Sequence, residues 1–228
     1  SSVFDINKSI HYFSLAAKQN HPDAQFYLGF IYSKENSSVF DINKSIHYFS
    51  LAANQNYPIA QFNLGIIYST EEWAVFDINK SIHYFSLAAN QNHLEAQYQL
   101  GLFYLSNKYF SKDINKAIRF FSLAANQNHL EAQYDLGIIY STDVWYVFDI
   151  DKSIHYLTLA AKQNHSNAQF KLGFIYSKEN SSVFDINKSI HYFSLAAKQN
   201  HPDAQFYLGF IYSKENSSVF DINKSIHY

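Results

Sequence analysis

The chain contains 228 residues with 17 basic and 19 acidic side chains, a formal net charge of −2 and a pI near 6.6. This balance lacks the basic surplus with which proteins bind phosphate backbones, so no nucleic acid partner is expected. The absence of cysteine excludes disulfides and thiolate chemistry. Glycines and prolines are few, which favours helices joined by short turns. The apolar runs are far shorter than the roughly 20 residues that cross a bilayer, so no membrane span is expected.

A period of 36 residues runs through the whole sequence. The six glycines keep this spacing from Gly29 to Gly209, and an aspartate keeps it from Asp5 to Asp221. Such a period is typical of solenoids, in which repeats that cannot fold alone bury their apolar faces against their neighbours. We therefore expect one continuous array over residues 1–228. Its repeats are 1–36, 37–72, 73–108, 109–144, 145–180 and 181–216, with a partial repeat at 217–228.

Each repeat begins with a predicted helix. In the first repeat Asp5 is a suitable N-cap residue. Ile6, Ile10 and Phe13 follow at helical spacing and share one apolar face. Asn20 is expected to end the helix in the left-handed conformation, which asparagine tolerates better than most residues other than glycine.

A second predicted helix follows directly. Pro22 suits its first turn, and the Asp23 carboxylate lies near the positive end of the helix dipole. The side chains from Ala24 to Tyr32 are apolar nearly all round, so we expect this helix to be the inner, more buried one. Gly29 lies in its middle at a cost of about 1 kcal/mol relative to alanine. We expect a close approach of a neighbouring helix to compensate for that cost.

The repeated residues resemble the Sel1-like repeat (SLR) family, which is related to the tetratricopeptide repeats. In the first repeat the pattern is carried by Asp5, Lys8, Ser9, Tyr12, Phe13, Ala16, Ala17 and Gln19, then by Ala24, Gln25, Phe26, Leu28, Gly29 and Tyr32. The resemblance implies an all-α fold, a right-handed α-solenoid of six 36-residue helix–turn–helix repeats plus a partial seventh. It also implies an adaptor role in protein complexes without catalysis. The sequence departs from the family pattern at Asn20, where glycine is usual, and in the loop 34–40, which is not glycine-rich.

Positions that differ between otherwise similar repeats are candidate recognition sites. Repeat positions 23 and 27, numbered as in the first repeat, lie one turn apart on the second helix. We expect the second helices to line a concave surface, where this stripe would bind an extended peptide. A solvated face without constraint is the alternative. The candidate partner-binding residues are Asp23, Tyr27, Asn63, Glu95, Gln99, Glu131, Asp135, Asn167, Lys171 and Tyr207.

Loop aromatics form a second candidate surface. Trp73, Tyr109 and Trp145 are spaced at the repeat period, whereas Ser37 and Ser181 occupy the equivalent positions in outer repeats. Large aromatic side chains along one edge of a solenoid would anchor a partner. Equally, these rings would tuck back over the helix ends of the neighbouring repeat.

A leucine recurs on the first helix, roughly opposite the apolar face. An outward leucine in every repeat would form an apolar ridge on the convex side and would suggest lateral packing against another copy. A superhelix that curls enough to cover the ridge is the alternative. The ridge residues are Leu15, Leu51, Leu87, Leu123, Leu159 and Leu195.

No catalytic, metal or cofactor site is predicted. The 11 histidines fall at two repeat positions, represented by His11 and His21, without cysteine or a carboxylate cluster beside them. We expect His11 to be a partly exposed helix residue and His21 a turn residue. Ser14 and its equivalents repeat on a helix face and suggest no nucleophile–base pair, so the chain is not expected to be an enzyme. An RNA-reading solenoid is disfavoured by the acidic balance.

Residues 1–48 are identical to residues 181–228, a period of five repeats. Both ends of the sequence lack polar capping features, so we expect a window of a longer array. Two functions remain open at this point. One is a scaffold that binds a peptide or partner domain on the concave face, which the variable positions and the family resemblance favour. The other is a structural subunit that binds further copies of itself head to tail in a filament, which the duplication and the leucine ridge favour.

Overall fold

The computed structural model describes residues 5–106, 108–109, 111–142 and 146–213. Within these ranges the chain forms twelve α-helices and no β-strand, two helices to a repeat, which confirms the predicted all-α repeat fold. The helices are α1 (Ile6–Ala17), α2 (Pro22–Tyr32), α3 (Ile42–Ala53), α4 (Pro58–Ser69), α5 (Ile78–Asn90), α6 (Leu94–Leu105), α7 (Ile114–Asn126), α8 (Leu130–Ser141), α9 (Ile150–Lys162), α10 (Ser166–Tyr176), α11 (Ile186–Lys198) and α12 (Pro202–Ser213). Odd numbers mark the first helix of each repeat and even numbers the second helix.

The chain divides into two compact units, residues 1–123 and residues 124–228. The N-terminal compact unit holds α1–α6 and most of α7, and the C-terminal compact unit holds the end of α7 and α8–α12. In each of them a second helix packs against the first helix of its own repeat and more extensively against the first helix of the next repeat. Thus α2 packs against α1 and α3, and α10 packs against α9 and α11. The continuous array over the whole chain stays a prediction.

The first helices are capped as predicted. The Asp5 carboxylate accepts hydrogen bonds from the backbone N–H groups of Asn7 and Lys8 at 2.9 and 3.1 Å. Asp41 accepts a hydrogen bond from the Lys44 backbone N–H at 3.0 Å, and this bond is the main cause that lowers the pKa of Asp41. The same cap recurs at Asp77, Asp113, Asp149 and Asp185.

An asparagine turns the chain from each first helix to the second. Asn20 has a φ of 60°, in the left-handed region, as predicted. The backbone N–H of the next residue, His21, then donates to the Ala16 carbonyl at 3.3 Å. Equivalent asparagines with φ between 58° and 64° are Asn56, Asn92, Asn128, Asn164 and Asn200. Asparagine therefore takes the role that glycine has in the family pattern at this turn.

Glycine allows neighbouring repeats to come into close contact. Gly29 on α2 faces the fully buried Phe49 on α3, and a Cβ atom at Gly29 would lie 2.6 Å from Cδ1 of that ring. On the same helix as Phe49, the Ser45 hydroxyl donates to the Gly29 carbonyl at 2.8 Å. The glycine contact recurs in the pairs Gly65–Phe85, Gly101–Phe121, Gly137–Leu157 and Gly173–Phe193. The predicted close helix approach at glycine is confirmed.

Buried glutamines also link each second helix to its neighbours, a feature that was not predicted from the sequence. Gln25 donates from Nε2 to the Ala17 carbonyl at 3.3 Å and accepts at Oε1 from Nε2 of Gln55 at 2.7 Å. Equivalent pairs are Gln61–Gln91, Gln133–Gln163 and Gln169–Gln199. A buried amide is stable only when its partners are in place, so each pair fixes the register of one repeat on the next.

Histidines cap the second helices, although from the sequence His21 was predicted to be only a turn residue. His21 Nδ1 accepts a hydrogen bond from the Ala24 backbone N–H at 3.4 Å, and His93 Nδ1 accepts one from Ala96 at 3.3 Å. Because Nδ1 accepts, the imidazole is neutral and carries its proton on Nε2. The same cap recurs at His129, His165 and His201, whereas Tyr57 makes no side-chain cap.

The capping rings also pack on an aromatic side chain of the preceding repeat. His93 stacks on Phe62 with 4.6 Å between ring centroids, and His165 stacks on Tyr134 at 4.4 Å. The burial that accompanies this contact lowers the pKa of His93. The histidine therefore joins two repeats while it caps one helix.

The second helices are not buried all round, contrary to the expectation from their composition. Tyr27 is 48% exposed and Phe30 is 40% exposed. First helices cover two faces of α2, one from its own repeat and one from the next repeat. The face that carries Tyr27 and Phe30 is only partly covered by these helices and meets solvent.

Replacement of Gly65 by alanine tests the close contact. In an exposed helix this change stabilises by about 1 kcal/mol, but a Cβ atom at Gly65 would lie 2.6 Å from Cδ1 of Phe85. We expect Gly65→Ala to lower the free energy of unfolding by about 1–3 kcal/mol, measured by chemical denaturation. Asn63→Ala, a change at a partly exposed site on the same helix, is the control. A Gly65→Ala protein that is as stable as the control would contradict the contact.

Replacement of His93 by asparagine tests the histidine cap. Burial lowers the pKa of folded His93 below its ordinary 6.5, so the cap contributes stability above that pH and loses it as the pH falls. Asparagine also caps helices but does not titrate in this range. Between about pH 8 and pH 5 we expect the native protein to lose about 1 kcal/mol more of unfolding free energy than the His93→Asn variant.

The measurement is the pH slope of the denaturation midpoint, because the variant also loses the stacking contact with Phe62 at every pH. His83→Asn, a change at an exposed histidine on α5, is the matched control and should leave the slope unchanged. Equal slopes in the native protein and the His93→Asn variant would show that the cap does not titrate.

Candidate recognition surface

The solvent-facing side of the second helices brings together the variable positions found in the sequence. Repeat positions 23, 27 and 30 are separated by 4 and 3 residues and share one face of a helix. We call this surface the second-helix face, and all of its residues are exposed or partly exposed. In the N-terminal compact unit it consists of Asp23, Tyr27, Phe30, Ile59, Asn63, Ile66, Glu95, Gln99 and Leu102. In the C-terminal compact unit it consists of Glu131, Asp135, Ile138, Asn167, Lys171, Phe174, Asp203, Tyr207 and Phe210.

Position 27 lies over the first helix of its own repeat. Tyr27 stacks on Phe13 with 5.2 Å between ring centroids and 13° between planes, and Tyr207 stacks on Phe193 at 5.3 Å and 11°. The first helix thus supports one side of each tyrosine ring. The Tyr207 ring also lies 5.9 Å from the ring centroids of Phe170 and Phe174 in the preceding repeat. The other residues at this position are polar or charged, so its chemistry changes from repeat to repeat.

Position 23 contacts the start of the second helix of the next repeat. The Tyr57 hydroxyl donates to Asp23 Oδ1 at 2.7 Å, and this hydrogen bond is the main cause that raises the pKa of Tyr57 to about 12. His201 Nε2 lies 3.1 Å from Oδ1 of Asn167. Since Nδ1 of His201 accepts from a backbone N–H, its Nε2 is the protonated nitrogen and donates. Position 23 therefore takes part in packing between repeats as well as facing solvent.

Position 30 was not singled out in the sequence, although it is apolar in every repeat. Its side chains are phenylalanine, isoleucine or leucine, and Phe30 and Phe210 are exposed. Composition could not reveal this row, because an apolar side chain on an apolar helix is expected to be buried. The structure adds it to the second-helix face as an apolar strip beside the variable position 27.

Two of the loop aromatics, Trp73 and Tyr109, lie against the N-terminal compact unit. Trp73 packs on the core cluster around Phe49, and its indole N–H donates to Glu35 Oε1 at 2.8 Å. Tyr109 lies near Phe76 and Phe103, with ring centroids 6.0 and 6.5 Å away. Trp145 is outside the described residues. The tucked arrangement is the one seen for Trp73, and partner binding by these residues stays a prediction.

The leucine ridge is only partly accessible. Leu15 and Leu123 are 46% and 38% exposed, whereas the other four ridge leucines are half-buried. Lateral packing through the ridge stays a prediction. Within the described ranges no group of three or more histidine or acidic side chains could hold a metal ion.

None of the helices that the structure describes is both long and apolar enough to cross a membrane.

Comparison with known proteins identifies the repeat. The Sel1 repeat family model matches residues 2–21, 22–57, 58–93, 94–129, 130–165, 166–201 and 202–228. Its complete repeats begin at a second helix and include the next first helix, the pair joined by the glycine contact. The 36-residue period is thus the same as in the sequence analysis, with a different starting point.

Two solved structures are similar over 98% of this chain. A Sel1 repeat protein from Oxalobacter formigenes is 25% identical, with a TM-score of 0.67 over 97% of its own length. A protective antigen of uropathogenic Escherichia coli that displays an SLR fold is 24% identical, with a TM-score of 0.58 over 56% of its length. No curated protein matches the chain. Because the family model matches nearly every residue, the chain belongs to the Sel1 repeat family.

Proposed function

We propose that the chain is a non-catalytic scaffold that binds a peptide or a partner domain on the second-helix face. The observation that carries the proposal is the contrast between positions 27 and 30. Position 27 changes from tyrosine to asparagine, glutamine, aspartate and lysine, whereas position 30 beside it stays apolar. An apolar strip supplies affinity by burial, and the polar groups next to it supply specificity, which is the composition of recognition surfaces in general.

The family supports a binding role. Sel1 repeat proteins are generally scaffolds for protein–protein interaction and are not enzymes. The fold supports it as well, because the buried contacts that join the repeats do not involve position 27. Gly29, Ser45 and Gln25 are buried between helices, whereas Tyr27 reaches solvent from the same helix as Gly29. A change at position 27 therefore alters the surface while the glycine, serine and glutamine contacts stay in place.

The candidate residues separate into two groups on this basis. Side chains at position 27 are proposed to contact the partner directly, and they are Tyr27, Asn63 and Gln99 in the N-terminal compact unit and Asp135, Lys171 and Tyr207 in the C-terminal one. Side chains at position 23 are proposed to contribute at the rim, since several of them also contact the next repeat, and they are Asp23, Glu95, Glu131 and Asn167.

Selection from a displayed random-peptide library tests the proposal. We expect the protein to enrich a defined set of peptides, and we expect Tyr27→Ala and Gln99→Ala to weaken the best N-terminal-unit binders about tenfold, as for side chains at the centre of an interface. Affinity is measured by fluorescence anisotropy with the selected peptides. His47→Ala and His83→Ala, at exposed positions on the first helices, are the matched controls and should change affinity little.

Two results would contradict the proposal. One is a failure to enrich any peptide or partner, and the other is an equal loss of affinity in the first-helix controls. Light scattering on a sizing column over a wide concentration range is run in parallel. Particles that grow with concentration and are disrupted by a change at Leu15 would identify further copies of the chain as the partner.

A further inference from the structure

The second-helix face of the C-terminal compact unit contains a groove with a volume of about 330 Å³. The groove lies beside α10 and is closed by the end of α8, the start of α9 and the loop after α10. Its lining residues include Ser141, Phe148, Lys171, Phe174, Lys178 and Ser181. This volume is at the lower end of the range of about 300–1,000 Å³ found for ligand pockets, enough for a few side chains of a peptide.

The groove combines an apolar floor with two positive charges. Phe174 and the half-exposed Phe148 supply the floor, and the Lys178 ammonium lies 5.3 Å from the centre of the Phe174 ring. Neither Lys171 nor Lys178 forms an ion pair with a residue that the structure describes. Ammonium groups without a carboxylate partner beside an apolar floor suit a ligand that is both acidic and apolar.

Lys171 and Ser181 distinguish this groove from the equivalent places after α4, α6 and α8, whereas the loop after α2 also carries a serine, Ser37. Lys171 is the one lysine at position 27, where the repeats before it carry Tyr27, Asn63, Gln99 and Asp135. Ser181 lies in the loop after α10. The equivalent residue after α4 is Trp73, which packs on the core of the N-terminal compact unit. A serine is much smaller than a tryptophan, so the loop leaves space that an aromatic ring would fill.

We infer that this groove binds an acidic peptide segment, in which an apolar side chain packs on Phe148 and Phe174 and flanking carboxylates pair with Lys171 and Lys178. The inference rests on the proposed function, because it names the class of peptide that this part of the second-helix face takes. A peptide fits better than a nucleic acid, since binding of a continuous phosphate backbone depends on many basic contacts and the groove supplies only two lysines.

Paired library selections test this inference. The native protein is compared with a Lys171→Gln/Lys178→Thr variant, whose new residues occur naturally at the equivalent positions as Gln99 and Thr142. We expect the native protein to enrich peptides in which aspartate or glutamate flanks an aliphatic or aromatic residue, and the variant to lose that enrichment. For the best such peptide we expect affinity to fall at least about tenfold in the variant and to weaken as salt is added.

Two further variants test whether binding depends on the groove itself or only on the positive charge of the protein. Lys162→Gln/Lys198→Gln removes the same charge from exposed sites at the ends of α9 and α11 and should leave the affinity unchanged. Ser181→Trp keeps the charge but fills the groove, so it should weaken the acidic peptide as strongly as the double lysine change does. Circular dichroism of each variant confirms that the helices are intact.

The outcomes distinguish this inference from the proposed function. A control peptide carries Asn and Gln in place of Asp and Glu. If it binds as tightly as the acidic peptide, the groove does not recognise carboxylates. If peptides bind through Tyr27 or Gln99 but the C-terminal compact unit shows no preference for acidic peptides, the inference about the groove is wrong while the proposed function stands. Absence of all peptide binding would overturn both. Displacement of the acidic peptide by single-stranded polyuridylate at equal affinity would assign the groove to nucleic acid instead.

Discussion

The contact between a glycine on one helix and a large apolar side chain on the next is the constraint on which the fold depends. Gly29 has no side chain, and the Phe49 ring occupies the volume that a Cβ atom would need. This close approach places the Ser45 hydroxyl within 2.8 Å of the Gly29 carbonyl and brings Gln55 to within 2.7 Å of Gln25. The glycine contact sets the distance between neighbouring repeats. The hydrogen bond between the two glutamine amides would break if one repeat shifted along the other, so it sets their register.

That arrangement leaves one face of α2 partly exposed. The first helix of its own repeat covers one side of α2 and that of the next repeat covers another, while Tyr27 and Phe30 remain accessible. Position 23 is intermediate, since Asp23 meets solvent and also accepts from Tyr57. The freedom of a position to vary thus follows from how many neighbours it has. On this view position 27 varies because a substitution there leaves the glycine, serine and glutamine contacts between repeats in place.

The local signals in the sequence were sufficient for the fold, whereas contacts between distant residues were not. Asp5 as an N-cap, Asn20 in the left-handed region and Gly29 as a point of close approach each follow from the residue and its immediate surroundings. The bond between Trp73 and Glu35 joins residues 38 apart, and nothing in either loop indicates its partner. The histidine caps could have been inferred, because a histidine stands where no other capping residue is available. The exposed row at position 30 could not, because apolar composition does not reveal which side a neighbour leaves uncovered.

Independence of the repeats connects the fold to the proposed recognition. Each glycine, serine and glutamine contact joins a repeat only to its neighbour. A substitution on the second-helix face of one repeat therefore leaves the geometry of the others intact. Charge can therefore be placed locally, as Lys171 is in the fifth repeat next to a loop that carries Ser181 instead of a large ring. A chain whose net charge is only −2 can in this way present one cationic groove without becoming a general binder of anions. Specificity in such a protein resides in the combination of a constant apolar strip with side chains that change one repeat at a time.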